Sequence, residues 1–305
     1  MIRLSRPNIK DITIKNYVNY LNRLSKDVVK EPLTNLNFLK DVVKVQLFLD
    51  AMSFNSRRST ITAVVVALKA TMDPHGVLKI YDALLMKAKG EYSKLLGTKH
   101  KSDATMEKWT TMKKLLKIQK SWRTKVMDNH IPDKEGLTTK NHAILQNYLI
   151  ASLYTLIPPR RNIYGVVKLI KTTDFKKLRG NELKDNFLVF SNSFRIIFFH
   201  FGDQKSETEA VLHARQKPPK KLRDVIEIYL RFNHGREYLL VNNRGGMLGQ
   251  DGLGRTLLKL FGIGSTMIRK IYISEHTKDA HNVIESLASK MGHSATMARA
   301  SYLKT

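Results

Sequence analysis

The sequence predicts a mainly helical α+β protein: a four-helix N-terminal domain, then a mostly helical second domain with a small antiparallel sheet. Three observations predict it. Apolar residues recur at spacings of three and four through most of the 305 residues, as amphipathic helices require. That period is lost only near 187–201, where β-branched and aromatic residues run together as in strands. Between the two helical regions lies a polar, basic stretch, Thr98-Lys99-His100-Lys101-Ser102-Asp103-Ala104-Thr105, which reads as a linker. The predicted domains are therefore 1–97 and 106–305, with 98–105 between them.

The elements follow in order. Ile14, Tyr17, Val18, Leu21 and Leu24 predict a helix over 12–27, and Leu36, Phe38, Leu39, Val42, Val43, Leu47 and Leu49 a second over about 35–52. A third, over 56–71, opens on Asn55-Ser56-Arg57-Arg58-Ser59-Thr60. Its first-turn amides and two arginines make a favourable phosphate site. Asp73-Pro74-His75-Gly76 breaks the chain before a fourth helix over 77–95 that ends at Gly97.

Helices resume over 106–128 and 139–156, and Pro158-Pro159 stops the latter. Phe187–Phe190 and Phe194–Phe201 read as strands joined by Ser191-Asn192-Ser193, with a third strand at 209–212. A helix is expected over 219–232, and a Gly-rich loop over Asn243–Gly254 leads to another over 254–261. Further helices are expected over 265–274, 279–291 and 295–303.

The composition narrows the function. Lys and Arg number 53 against 26 Asp and Glu, a formal charge of +27. The excess is spread along the chain: residues 1–100 carry 17 basic and 8 acidic side chains, residues 101–305 carry 36 and 18. Such a charge calls for a polyanionic partner, nucleic acid before anionic membrane. The absence of cysteine excludes a disulfide scaffold, a thiol nucleophile and Cys-ligated metal, and agrees with a reducing intracellular setting. No apolar run is long enough for a transmembrane helix, and Met1–Pro7 shows no apolar core of a secretory signal.

Several residues carry chemistry as a set. Arg160 and Arg161 follow the double proline, close to the start of a helix, where an anion would offset their charge against the helix dipole. Arg269 follows Thr266-Met267-Ile268 in a helical pattern. Gly292-His293 sits at a helix junction, and Tyr302 lies nine residues beyond the histidine. Guanidiniums grip phosphate oxygens, an imidazole donates another hydrogen bond, and a tyrosine attacks phosphorus. No carboxylate cluster has metal-ligand spacing, and there is no GxxxxGK[ST] loop.

This order and spacing resembles the tyrosine recombinase (phage integrase) family, over most of the chain. Its flavour is that of the integrases of eukaryotic DNA viruses and related mobile elements. The first arginine box matches Pro158–Tyr164, with Arg160 as the catalytic arginine and Arg161 the alternative. The hairpin lysine matches Lys205, the second arginine box Thr266-Met267-Ile268-Arg269, and the last box Gly292-His293 with Tyr302. The N-terminal helices resemble the family's SAM-like core-binding domain, with Arg57, Arg58 and, in the second domain, Lys270 as DNA-binding residues.

The resemblance implies a site-specific recombinase that cuts and rejoins double-stranded DNA through a 3′-phosphotyrosyl bond. It needs no metal or other cofactor, and it assembles as a tetramer on paired sites. The location it implies is intracellular and DNA-associated, in a host nucleus or at a viral replication site. Two rivals share the residues: a type IB-like topoisomerase, and a DNA-binding protein of the same fold that has lost catalysis. Two departures bear on them. Thr266 stands where most members carry histidine, and a hydroxyl donates a hydrogen bond but supplies no imidazole acid–base chemistry; Ser265 or Lys270 are the neighbours that would compensate. Only Leu303, Lys304 and Thr305 follow Tyr302, where many relatives carry a segment that docks on a neighbouring subunit.

Overall fold

The structure, a computed structural model, describes Arg3 and residues 9–97, 106–202 and 215–277. The chain forms two compact units, Met1–Lys101 and Ser102–Thr305. It is mainly helical, with ten α-helices among the described residues and one small mixed sheet of four strands. The expected third strand at 209–212, the linker, and the helices at 279–291 and 295–303 lie outside the described residues. Among the described residues no helix is long and apolar enough to cross a membrane.

In the first unit, α1 (Asp11–Val29) buries Leu21, Leu24 and Val28 and leaves Val18 exposed. The expected single helix at 35–52 is instead a 3₁₀ turn, Asn37–Lys40, followed by α2 (Val42–Asp50). Asp41 causes the break: its carboxylate caps α2 by accepting from the Lys44 amide at 3.0 Å, which needs a non-helical backbone at Asp41. Tyr81 then donates to the Leu39 carbonyl at 3.0 Å and ties the 3₁₀ turn to α4 (Leu78–Gly97).

Helix α3 (Phe54–Ala70) runs through the centre of this unit. Ala63-Val64-Val65-Val66-Ala67-Leu68 is apolar all round, and all six are buried. Asp73 accepts from the Val77 and Leu78 amides at 3.1 and 3.0 Å, which starts α4 after the chain break. The core of the unit is drawn from α1 to α4 and the 3₁₀ turn.

In the second unit, α5 (Met112–Asp128) starts later than its periodicity predicts, because Thr111 caps it by accepting from the Lys114 amide. The α5 amide of Met112 donates to Glu275 Oε1 at 2.9 Å. Helix α6 (Thr139–Thr155) is the central one, buried without interruption from Tyr148 to Thr155. On it pack α8 (Lys220–Asn233) and α9 (Gly249–Phe261), with α10 (Ser265–His276) against α5, while a one-turn helix, α7 (Thr172–Phe175), lies on the sheet.

The sheet is mixed, and this corrects the antiparallel expectation. β1 (Lys168–Lys171) pairs in parallel with β2 (Asn186–Phe190), Lys168 opposite Phe187. β2 pairs antiparallel with β3 (Ile197–Phe201), Asn186 opposite Phe201, and β3 with β4 (Arg215–Gln216). The stretch between β1 and β2, 172–185, holds α7 and a 3₁₀ turn, and is long enough for the crossover that parallel pairing demands. β1 shows no strand signature because four residues of Lys-Leu-Ile-Lys are too short to display a period. β3 begins at Ile197 rather than Phe194, since Phe194 turns with φ 53° and the Ser191 amide reaches the Ile196 carbonyl at 2.9 Å.

The Gly-rich segment read as a loop to residue 254 is helical from Gly249. Its glycines serve close packing. A Cβ at Gly165 would overlap the Gly249 carbonyl, and one at Gly254 would lie 3.0 Å from Asn162 Nδ2. Small residues on both sides let α9 lie directly on the 3₁₀ turn Asn162–Val166, where Asn162 donates to the Gln250 carbonyl at 3.1 Å.

Candidate active site

The first arginine pair is set by how α6 ends. Its last turn closes at Leu156, whose amide donates to the Ser152 carbonyl, and Pro158-Pro159 prevents continuation. Arg160 follows half-buried, and Arg161 is extended and exposed. The buried Tyr154, on the last turn of α6, reaches back and donates to the Arg161 carbonyl at 3.2 Å. The returning chain is thereby held against the helix that it left.

The guanidinium of Arg160 lies over the ring of Phe201, 3.8 Å from its centroid. Phe201 ends β3 and packs on Phe199 and Tyr164. Tyr164 in turn meets Tyr154 edge to face at 5.7 Å and Phe199 at 5.6 Å. Arg160 thus rests on an aromatic bed drawn from α6, the 3₁₀ turn and β3. A cation over a ring face is attracted by the ring quadrupole, and more strongly where water is excluded.

The second arginine enters from α10. Ile268 and Ile271 anchor that helix in the core, and Glu275 holds its far end to the first amide of α5. Arg269, half-buried, follows Ile268. Its charge acts on the Tyr154 phenol, as that of Arg160 acts on Tyr164. Arg160 and Arg269, more than a hundred residues apart in sequence, each act through their charge on one of two buried tyrosines whose rings meet at 5.7 Å. Burial pushes both phenols well above the usual tyrosine range, and the neighbouring cations offset this only in part. Neither tyrosine ionises near neutral pH, and neither is exposed to a substrate.

Thr266 and Lys270 are exposed and lie one turn apart on α10, on the flank that also carries Arg269. Ser265 is buried. Lys205, His293 and Tyr302 lie outside the described residues.

In the first unit Arg57 is engaged by its own domain. Its guanidinium bonds Asp50 at 3.1 Å and Glu91 at 2.9 Å, so a phosphate there would compete with two carboxylates. Arg58 is its half-buried neighbour on α3.

Tyr154, Tyr164 and Phe201 are the site residues that reading the sequence missed. Tyr164 was visible four residues after Arg160, but a tyrosine in a turn signals nothing by itself. Phe201 was one of many aromatics in a strand. Among the described residues no group of three or more His, Asp or Glu side chains is placed to hold a metal ion. The chain matches no protein-family model, no curated protein and no solved structure.

Proposed function

We propose that this chain is a site-specific DNA recombinase or integrase that acts through a 3′-phosphotyrosyl intermediate. The observation that carries the reading is that Arg160, seated on Phe201, and Arg269 act through their charges on the packed tyrosine pair Tyr154 and Tyr164. Two half-buried guanidiniums supplied by distant segments suit one doubly charged group between them, and a phosphodiester at its transition state is such a group. The net charge of +27 supports nucleic acid as its carrier.

In this mechanism the Tyr302 oxygen attacks the scissile phosphorus and gives up its proton. The bond from phosphorus to the 5′-oxygen breaks, and Lys205 protonates the departing oxygen as general acid. Arg160, Arg269 and His293 stabilise the charge on the pentavalent phosphorus. The phosphotyrosine conserves the bond energy, so a 5′-hydroxyl of another strand reseals the break. The buried Tyr154 holds the Arg161 backbone, Tyr164 packs beneath the Arg160 platform, and both are excluded as nucleophiles by their burial. In the same reading the first unit is a SAM-like DNA-binding domain, with Arg58 and Lys270 meeting backbone phosphates. The enzyme works as a tetramer on paired duplex sites.

Thr266 favours a second reading, a DNA-binding protein of this fold without catalysis, because it removes an imidazole from the second box. One experiment separates the two. The full chain is incubated with a pool of nicked duplexes randomised at the centre, and protein–DNA adducts that survive denaturation are collected. An adduct in the parent, absent from Tyr302→Phe and reduced at least a hundredfold by Arg160→Ala or Arg269→Ala, is expected. Duplex binding with no adduct leaves only the binding protein. Thr266→His is expected to speed adduct formation.

A further inference from the structure

A second feature of the C-terminal unit is independent of the arginine pair. Helix α9 has two working faces. One lies on the turn after Arg160. The other carries Gly252, Arg255, Thr256 and Lys259, at the three- and four-residue spacing of a single stripe, and lines a cleft of about 740 Å³. The opposite walls come from α5 and α6, and the loop before α9 closes the rim.

The lining is chemically one-sided. Arg244, Arg255 and Lys259 bring three positive charges, and none of the residues lining the cleft is acidic. Among the described residues no carboxylate pairs with any of the three. Asn147 and Asn243 add carboxamides, and Trp122 adds an aromatic ring at one end. Arg57 pairs with Asp50 and Glu91, and Arg223 with Glu227.

We infer that this cleft holds an unpaired nucleic-acid strand, apart from any phosphate at Arg160 and Arg269. Size decides between single and double strands. A duplex exposes only base edges in its grooves and keeps its bases stacked inside. A concave pocket of this volume is of the size that takes a small organic ligand whole. It can receive a base only from a strand whose bases are turned out. Trp122 offers a ring for that base once the Lys125 ammonium, 4.1 Å from its centroid, swings aside, and the carboxamides offer a donor and an acceptor each. Arg255 and Lys259 stand about one helical turn apart, about 6 Å along α9, which serves two anions in succession rather than one. A free nucleotide shares this chemistry but would leave the second cation idle, and an acidic peptide would use neither the ring nor the amides.

The inference does not rest on the recombinase reading, and its test leaves Arg160, Arg269 and Tyr302 untouched. The full chain is titrated with a labelled ten-nucleotide oligothymidylate, following anisotropy for affinity and tryptophan emission for location. Saturable binding with quenching is expected, and Trp122→Phe should abolish the quench or weaken binding. Arg255→Ala with Lys259→Ala should weaken binding at least tenfold and flatten the slope of log K against log salt by about 1.4, as for two single-strand phosphates. Both side chains are exposed, so the melting temperature should not move. Asn147→Ala should weaken binding with the slope unchanged.

The inference fails if the strand does not bind, or if the double variant binds as the parent does. It fails equally if a duplex of the same length quenches Trp122 as the strand does, or if a thymidine monophosphate or a polyglutamate competes as well as the strand. Any of these results would leave the covalent-adduct experiment unaffected.

Discussion

Tyr154 ties the end of α6 to the Arg161 backbone through its hydroxyl. That bond is part-buried, and a hydrogen bond of this kind contributes about 1 kcal/mol. Tyr154→Phe keeps the ring against Tyr164 but leaves that carbonyl without this donor. Thermal melts should show a loss of about 1–2 kcal/mol, and adduct formation should slow while duplex affinity holds. A loss of affinity equal to the loss of rate would make Tyr154 a general fold residue. His142 gives a second residue-scale prediction. Burial lowers its pKa first, and Arg236 adds to this, against a bond between its Nε2 and Asn233 Oδ1 at 2.8 Å. A histidine kept neutral in the fold takes up its proton more readily when unfolded. Its contribution is therefore present above the ordinary value of about 6.5 and is lost as pH falls below it. Denaturant midpoints should drop between pH 7 and pH 5, and His142→Gln should flatten that dependence.

At the scale of elements, α9 is positioned by its contact with the turn after Arg160. Gly165 stacks on the Gly249 carbonyl, and Gly249 has φ 75°, a left-handed backbone that an L side chain adopts only under strain. Gly165→Ala must therefore push α9 away. A cost of about 1–3 kcal/mol is expected from overpacking. Because Arg255 and Lys259 ride on α9, the same substitution should also weaken oligothymidylate binding. Stability lost without any change in strand binding would show that the cleft is set by α5 and α6 alone. α10 is fixed in another way, by two buried isoleucines and the Glu275 bond to α5, and so carries Arg269 on a rigid support.

At the scale of the whole molecule, the basic excess is distributed over both units. Charge so spread sets affinity and its salt dependence more than sequence choice. If about six to ten phosphates are neutralised, duplex affinity should fall by about 10³–10⁵ between 50 and 200 mM salt. A filter-binding series over that range measures it. A change of less than tenfold would mean that most of the 53 basic side chains meet no phosphate.

Much of this was legible in the sequence, and the physical reason is range. Helix periodicity is a property of a few adjacent turns, so α1, α3, α4, α6 and α8 could be read from local spacing. The double proline marked the end of α6, and the charge ratio pointed to a polyanion, because both are carried by residue type alone. Tertiary structure decided what depends on partners. Val18, Val43 and Leu47 match an apolar stripe, yet they are exposed, because α1 and α2 turn Leu21, Leu24, Val45 and Leu49 to the core instead. The glycines of α9 read as a loop until the turn beneath them explained their size. β1 became a strand only because β2 lay beside it, and in parallel because of the crossover between them. Arg57 looked available for phosphate until Asp50 and Glu91 were found on it. The sequence by itself determined α1, α3, α4, α6 and α8 and that the chain is strongly cationic. Only the folded chain decided which arginines act on buried aromatics and which are already neutralised, since those pairings join residues far apart in the chain that no local pattern connects.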